Sequence, residues 1–125
     1  TQFEPQSRHL AGRGMIAIVA DYRVKTRQDA KPADCVSDAK ACVRWVRANA
    51  KSHGLDAERI GVLGGSAGGH LAALLGLSAG VEALEGKGGN ANQSSAVRAS
   101  GRSCARGTSR PTAWSAVPTQ CLSGR

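Results

Sequence analysis

Two short apolar runs stand out in the first half of the chain. Met15 to Tyr22 reads Met-Ile-Ala-Ile-Val-Ala before its polar end, and Ile60 to Leu63 runs into glycines. A continuous apolar run of this length is typical of a strand that is buried on both faces of a parallel sheet. We therefore predict one strand in each run.

Helical patterns flank both runs. A short helix is predicted over Phe3–Arg13, where two nearby glycines would stop it. Pro32 suits the first turn of a longer helix, which we expect to close at Gly54 in a C-cap. A third helix is predicted from Ala67 to about Ser78.

The long helix carries two stripes of different character. Its apolar residues recur every three or four positions, which predicts the face that packs on a core. Its basic residues recur in the same way on another face, which we interpret as a solvated surface and not as a partner-binding site. The apolar stripe is Val36, Ala39, Val43, Val46 and Ala50, and the basic stripe is Lys40, Arg44, Arg47 and Lys51.

The order helix, strand, helix, strand, helix predicts an α/β fold. A strand–helix–strand unit with parallel strands is the repeating unit of a doubly wound sheet. Two parallel strands leave two open edges and bury little surface, so we expect residues 1–99 to form only part of such a domain. The periodicity fades after Gly80, although Ser94–Ala99 could begin another element.

Residues 100–125 differ from the rest in composition. The formal net charge is +8, and residues 86–125 contain basic residues but no acidic one. The tail is rich in arginine, serine and glycine without a helical or strand period, so we predict that it is disordered or read out of frame from about Ser100. The alternative is a non-enzymatic module whose basic tail binds nucleic acid or another polyanion. Against this, the tail has one aromatic residue and no recognisable nucleic-acid motif.

Other features of the sequence argue against a membrane span, a signal peptide and a metal site. No apolar run is long enough to span a bilayer, and no signal peptide is visible. The chain begins with Thr1 instead of methionine, so we expect it to be part of a longer protein. Neither a Cys-x-x-Cys pair nor a Cys/His ligand spacing occurs, and we therefore expect no metal and no cofactor. The cysteines are Cys35, Cys42, Cys104 and Cys121, and they assign no compartment.

The glycine-rich stretch after the second predicted strand carries the most specific signal. Gly64-x-Ser66-x-Gly68 lies between a strand and a helix, which is the pattern of a nucleophile elbow. The backbone of a serine on so sharp a turn is strained, and we expect a side chain at either flanking glycine to collide with the turn. The first amides of the following helix would point at the space above the serine, where the Ala67 N–H could hold an oxyanion.

Two other interpretations of this stretch are a phosphate-binding loop and a plain tight turn. A Walker loop requires a lysine after its last glycine, and none follows here. The dinucleotide motif Gly-x-Gly-x-x-Gly cannot be aligned with these glycines. We therefore adopt the elbow.

Three longer stretches carry a family resemblance: Ile18-Val-Ala-Asp-Tyr-Arg, Asp38-Ala-Lys-x-x-Val-Arg-Trp-Val-Arg and Arg59-Ile-Gly-Val-Leu-Gly-Gly-Ser-Ala-Gly-Gly-His-Leu-Ala. Residues 1 to about 99 resemble the esterase/lipase branch of the α/β-hydrolase superfamily. The most similar group is the acetyl-xylan-esterase-like enzymes, which are related to hormone-sensitive-lipase-type esterases. The resemblance implies that Ser66 is the nucleophile, that Ala67 supplies an oxyanion-hole amide, and that the substrate is a small-molecule or carbohydrate ester.

The chain also departs from this family pattern. Relatives carry a His-Gly-Gly-Gly-type loop before the segment that begins here at Phe3, and they place the triad acid and histidine well downstream of the serine. In this chain the acids after Ser66 are Glu82 and Glu85, and the one histidine is His70. His70 would project away along the helix that follows Ser66, so we do not expect it to act as a base. We predict a fragment that is incomplete at both ends and inactive alone.

Overall fold

The computed structural model describes residues 3–103. Five α-helices, one 3₁₀ turn and two strands occur in this part of the chain. They are α1 (Glu4–Ala11), α2 (Lys25–Gln28), α3 (Pro32–Ala48), the 3₁₀ turn (Lys51–His53), β1 (Gly61–Gly65), α4 (Ala67–Leu77), α5 (Glu82–Glu85) and β2 (Ala99–Ser103).

The two strands form a parallel pair in which Gly61 lies opposite Ala99 and Gly65 lies opposite Ser103. Parallel strands need a crossover connection, and α4 supplies it. The chain therefore has the predicted α/β architecture, with a strand–helix–strand unit whose first strand leads directly into the glycine-rich turn.

The partner of β1 is not the strand that the sequence predicted. Residues 16–24 have no strand hydrogen bonding, and Met15 is a single bridge position. Ile16, Ile18 and Val19 are 40%, 46% and 48% exposed. The prediction of a buried strand over Met15–Tyr22 is wrong for the described structure, because a strand requires a paired neighbour and the sheet described here contains only β1 and β2.

Strand β2 was missed because its sequence, Ala-Ser-Gly-Arg-Ser, lacks the apolar residues that mark a buried strand. It spans both sides of the predicted division between residues 99 and 100. Residues 104–125 lie outside the described part of the chain, so their assignment as a disordered or out-of-frame tail stays a prediction.

The core lies between α3 and the sheet. Val43 and Val46 of α3 pack with Ile60 and with Leu75 of α4. The predicted apolar stripe of α3 is confirmed, since four of its five residues are buried and Ala39 packs against the same cluster. The helix is shorter than predicted: it ends at Ala48, and the glycine expected as its cap ends the following 3₁₀ turn instead.

The basic stripe of α3 is not a solvated surface. Lys40 is completely buried, and Arg44 is only 2% exposed. The Lys40 ammonium donates to the carbonyl of Ser78 at 2.6 Å, to Glu85 Oε1 at 2.8 Å and to Ser95 Oγ at 3.2 Å. Because each of its three N–H bonds has an acceptor, the charge is tolerated inside the protein.

Arg44 is buried by the same segment of the chain. Its Nη1 lies 2.9 Å from Glu85 Oε2, and its Nε and Nη2 donate to the carbonyls of Gly89 and Gly88. The prediction failed because these acceptors lie more than forty residues away along the sequence. Of the four stripe residues, Lys51 is exposed as predicted, whereas Arg47 is partly buried.

Glu85 is the shared acid of this buried cluster. Burial raises the pKa of its carboxyl, but hydrogen bonds from Lys40 and Ser95 and the charges of Lys40 and Arg44 lower it, and the net pKa lies below its ordinary value. The carboxylate thus stays ionised and links α5 to α3. Glu85 is engaged in this structural cluster and is not aimed at the glycine-rich turn.

Candidate active site

Ser66 occupies the turn between the end of β1 and the start of α4. Its backbone has φ +51° and ψ −121°, a conformation that residues with a side chain rarely adopt. Holding such a residue in place costs about 1–3 kcal/mol, which the surrounding structure must offset. The strand, the strained serine and the helix together have the geometry of an elbow.

Gly64 is required by the close approach of the two arms of this elbow. A Cβ at Gly64 would overlap the backbone carbonyl of Gly68 and would also lie 2.8 Å from the amide nitrogen of Gly69. These contacts involve backbone atoms, which cannot rotate away as a flexible side chain can. The predicted collision is therefore confirmed at Gly64.

Gly68 behaves differently from the prediction. A Cβ added there meets no described atom within 4 Å, and its φ is not positive. The expectation that either flanking glycine is sterically required is wrong for Gly68, because it lies inside the first turn of α4, where its Cβ would point into open space. Among the described residues, nothing prevents an alanine at this position.

The Ser66 side chain is accessible. The residue is exposed, and its hydroxyl makes no capping hydrogen bond to the amides of α4. Within residues 3–103 no hydrogen bond ties Ser66 Oγ to another group. A free hydroxyl at the tip of a rigid turn is in position to meet a small molecule from solution.

The first amides of α4 lie next to this hydroxyl. The N–H groups of Gly69 and His70 donate to the Ser66 carbonyl at 2.9 and 3.2 Å. The amides of Ala67 and Gly68 precede them in the first turn, where a helix has no internal acceptor for its N–H groups. With the positive end of the helix dipole, these amides favour a negative charge close to Ser66.

None of the three histidines reaches Ser66 Oγ by a hydrogen bond in the described structure. His70 is exposed on α4, and His9 is exposed on α1. His53 is held elsewhere, since its ring packs against Trp45 at 5.6 Å and its Nδ1 lies 3.1 Å from the carbonyl of Asn49. Among the described residues, Ser52 Oγ lies 3.0 Å from His53 Nδ1, but no histidine is paired with Ser66.

Three aspartates that precede the elbow in the chain have partners outside it. Asp38 accepts two hydrogen bonds from the Arg23 guanidinium, at 2.9 and 2.8 Å, and these bonds lower the pKa of the Asp38 carboxyl. Asp34 accepts from the backbone N–H of Lys31 at 2.8 Å and fixes the first turn of α3. Asp21 is exposed and lies 3.8 Å from Arg27.

Other site types have little support in the part of the chain that the structure describes. It holds no cluster of three or more histidine, cysteine, aspartate or glutamate residues able to bind a metal ion. Cys35 and Cys42 are free thiols there, and burial raises the pKa of Cys42. No described helix is both long and apolar enough to cross a bilayer.

Comparison with known proteins decides the family. The family model described as BD-FAE matches residues 1–101, from the N-terminus through most of β2. The chain belongs to the BD-FAE family. The similar proteins described below are esterases, and the similar structures have an α/β-hydrolase fold, which confirms the resemblance to α/β-hydrolase esterases inferred from the sequence.

Solved structures of Thermogutta terrifontis esterase 2 are similar in both sequence and fold. The propionate-bound structure is 48% identical with a TM-score of 0.70, over 78% of this chain and 35% of that one. In another structure, which is 47% identical, that esterase is phosphorylated by paraoxon.

Two curated proteins of Mycobacterium tuberculosis are also similar. The probable carboxylic ester hydrolase LipM is 38% identical over 62% of this chain, and the esterase LipC is 41% identical over 56%. The chain spans 17% of the length of each of these relatives. The similarity thus covers a small part of two much longer proteins.

Proposed function

We propose that this chain is the nucleophile-bearing part of a serine carboxylic-ester hydrolase, with Ser66 as the nucleophile. The observation that carries the proposal is the backbone of Ser66, which is strained at positive φ between β1 and α4 and presents an exposed hydroxyl. Strain of this kind persists where function requires it. The family of the chain supports the same assignment.

The proposed reaction uses an acyl-enzyme. Ser66 Oγ attacks the carbonyl carbon of an ester, and the proton of its hydroxyl passes to a base. The carbonyl oxygen becomes an oxyanion next to the Ala67 N–H, which donates to it and lowers the barrier. Collapse of the tetrahedral intermediate expels the alcohol, which takes up the proton, and leaves the acyl group on Ser66. Water then attacks this acyl group and releases the carboxylic acid.

The elbow glycines support this step in different ways. Gly64 lets β1 and α4 approach closely, which keeps Ser66 at the tip of the turn. Gly68 belongs to the helix turn whose amides face the oxyanion, and it leaves space above them. No metal or cofactor enters the proposed mechanism.

The proposed substrate is an ester with a small acyl group, such as an acetylated sugar. Structures of the Thermogutta esterase contain propionate and butyrate, which are the acid products of short acyl esters. The same protein is phosphorylated by paraoxon, as expected of an enzyme with a reactive nucleophile. The preference for acetylated sugars rests on the resemblance to acetyl-xylan-esterase-like enzymes.

We propose further that these 125 residues alone have little or no turnover. A serine hydroxyl is a weak nucleophile unless a histidine accepts its proton and a carboxylate orients that histidine. His70 makes no hydrogen bond to Ser66 Oγ, and Glu85 is bound by Lys40 and Arg44. In an intact esterase the base and the acid would come from chain outside this segment.

The test distinguishes acylation of Ser66 from repeated turnover of the ester. The chain and its Ser66→Ala variant are incubated with 4-nitrophenyl butyrate, and both the intact mass and the released 4-nitrophenol are followed. We expect a slow butyryl adduct on Ser66 without multiple turnovers, and no such adduct in the variant. Absence of the adduct would contradict the assignment of Ser66 as the nucleophile. Repeated turnover that depends on Ser66 would contradict the proposal that the chain alone is inactive.

A further inference from the structure

Arg47, at the end of α3, binds the segments that lead into both strands. Its Nη1 donates to the carbonyl of Ala57, which precedes β1. Its Nε donates to the carbonyl of Ser94 at 3.0 Å and its Nη2 to that of Ala96 at 2.5 Å, and both of these residues precede β2. One planar guanidinium thus connects the segments that precede the two strands.

The contacts of Arg47 differ from those of the other α3 cations. Lys40 and Arg44 each bind the Glu85 carboxylate, whereas the three acceptors described for Arg47 are all backbone carbonyls. Donors in a fixed planar fork hold such acceptors at set relative positions. The geometry of Arg47 therefore fixes the position of one backbone segment relative to the other.

The strands themselves specify their alignment weakly. β1 reads Gly-Val-Leu-Gly-Gly and β2 reads Ala-Ser-Gly-Arg-Ser, so few large side chains face one another across the pair. Glycine-rich strands are prone to slip in register. An external constraint on the starts of the strands would prevent that slip.

Two further contacts agree with a single alignment. The N–H of Arg98 donates to the carbonyl of Ile60 at 2.9 Å, directly after the segment that Arg47 binds. A Cβ on Gly76 of α4 would overlap Ser100 Oγ, so the Ser100 side chain fits against the helix because Gly76 has no Cβ. Each contact depends on the observed register of β2.

From these contacts we propose that Arg47 is a positioning residue that sets the register of β2 against β1. In this register Ser103 lies opposite Gly65, the residue before Ser66. The end of β2 therefore lies beside the residue that leads into the elbow. Any effect of this register on catalysis at Ser66 rests on the proposed function, whereas the register itself does not.

Disulfide trapping reports the register directly. In a background with the four native cysteines replaced by alanine, Leu63→Cys is combined either with Gly101→Cys or with Ala99→Cys. Leu63 is paired with Gly101 in the structure, and paired Cα atoms of neighbouring strands lie about 4.8 Å apart, within disulfide range. Ala99 lies two residues away along β2, so a bond to it requires a two-residue slip.

The expected result is that substitution of Arg47 weakens the preference of Leu63→Cys for Gly101→Cys over Ala99→Cys. With Arg47 present, the pair with Gly101→Cys should oxidise at least about tenfold faster than the pair with Ala99→Cys. In Arg47→Met this ratio should fall to about threefold or less, because three bonds to the carbonyls are lost. Arg47→Lys should give an intermediate ratio, since one ammonium cannot reproduce the planar fork.

Arg44→Lys is the matched control, because it perturbs a more deeply buried cation of the same helix that does not contact the strand starts. Its oxidation ratio should equal that of the unaltered chain. An unchanged ratio in Arg47→Met would overturn the proposal. So would loss of the helical circular dichroism in both Arg47→Met and Arg47→Lys, since Arg47 would then support the whole fold. Neither readout involves Ser66 or an ester, so the outcome is independent of the proposed activity.

Discussion

Lys40 Nζ lies 2.8 Å from Glu85 Oε1, although the two residues are 45 positions apart in the sequence. The ammonium is completely buried, and Arg44 binds the other oxygen of the same carboxylate. One acid thus compensates two buried cations, and it attaches the segment after α4 to α3. The cluster thus holds the segment between α4 and β2 against α3.

Replacing Glu85 by glutamine should destabilise the fold strongly. The variant keeps the shape of the side chain but leaves two buried cations without a counter-charge, which costs about 3–5 kcal/mol when a buried ion pair is broken. Urea unfolding at neutral pH measures the change. Glu82→Gln is the matched control, because Glu82 is exposed on the same short helix, and it should change the stability by no more than about 0.5 kcal/mol. Equal effects of both substitutions would contradict the role of the cluster.

The same carboxylate predicts a pH dependence of stability. The folded-state pKa of Glu85 is lowered, so its contribution is present above the unfolded-state pKa of about 4.3 and is lost as the pH falls through the lower, folded-state value. The free energy of unfolding should therefore decrease as the pH falls below about 4.3. Urea titrations from neutral to acidic pH check this, and Glu85→Gln should lose less stability over that window. A variant as acid-sensitive as the parent would argue against Glu85 as the source.

The two elbow glycines should respond differently to alanine. Gly64→Ala places a Cβ against the backbone of Gly68, so we expect a loss of about 3 kcal/mol or failure to fold. Gly68→Ala meets open space inside a helix, where alanine is preferred to glycine by up to about 1 kcal/mol. Thermal unfolding of both variants measures the contrast. Comparable destabilisation at the two positions would contradict the geometry of the turn.

The strain at Ser66 predicts a gain in stability when it is relieved. Glycine adopts positive φ without a Cβ clash, so Ser66→Gly should raise the free energy of unfolding by about 1 kcal/mol. Ser66→Ala keeps the Cβ and should leave stability nearly unchanged, which makes it the control for loss of the hydroxyl. Urea midpoints of the three proteins provide the comparison. A Ser66→Gly variant that is less stable than Ser66→Ala would argue against a strained serine.

The elbow could be predicted from sequence because its determinants are local. A short apolar strand, Gly64 before the serine and an alanine- and leucine-rich helix after it lie within sixteen residues, and each imposes its own backbone geometry. The apolar stripe of α3 could be predicted for the same reason. Both features depend on neighbours in the chain.

The features that the sequence did not reveal depend on distant partners. The apolar run at residues 15–22 has the composition of a strand, but strand formation requires a paired neighbour that the run itself does not specify. Lys40 and Arg44 have the spacing of a surface stripe, and only the position of Glu85 shows that they are buried. Strand β2 forms from polar residues because β1 and α4 hold it in place.

The most direct test of the account is to locate the residue that reacts with an organophosphate. The chain is incubated with paraoxon at mildly alkaline pH and digested, and the diethylphosphoryl group is mapped by peptide mass spectrometry. Ser52→Ala serves as the control, because Ser52 is an exposed serine on an ordinary turn. We predict that the adduct lies on Ser66, disappears in Ser66→Ala and persists in Ser52→Ala. An adduct spread equally over exposed serines, or one that survives Ser66→Ala, would contradict Ser66 as the nucleophile.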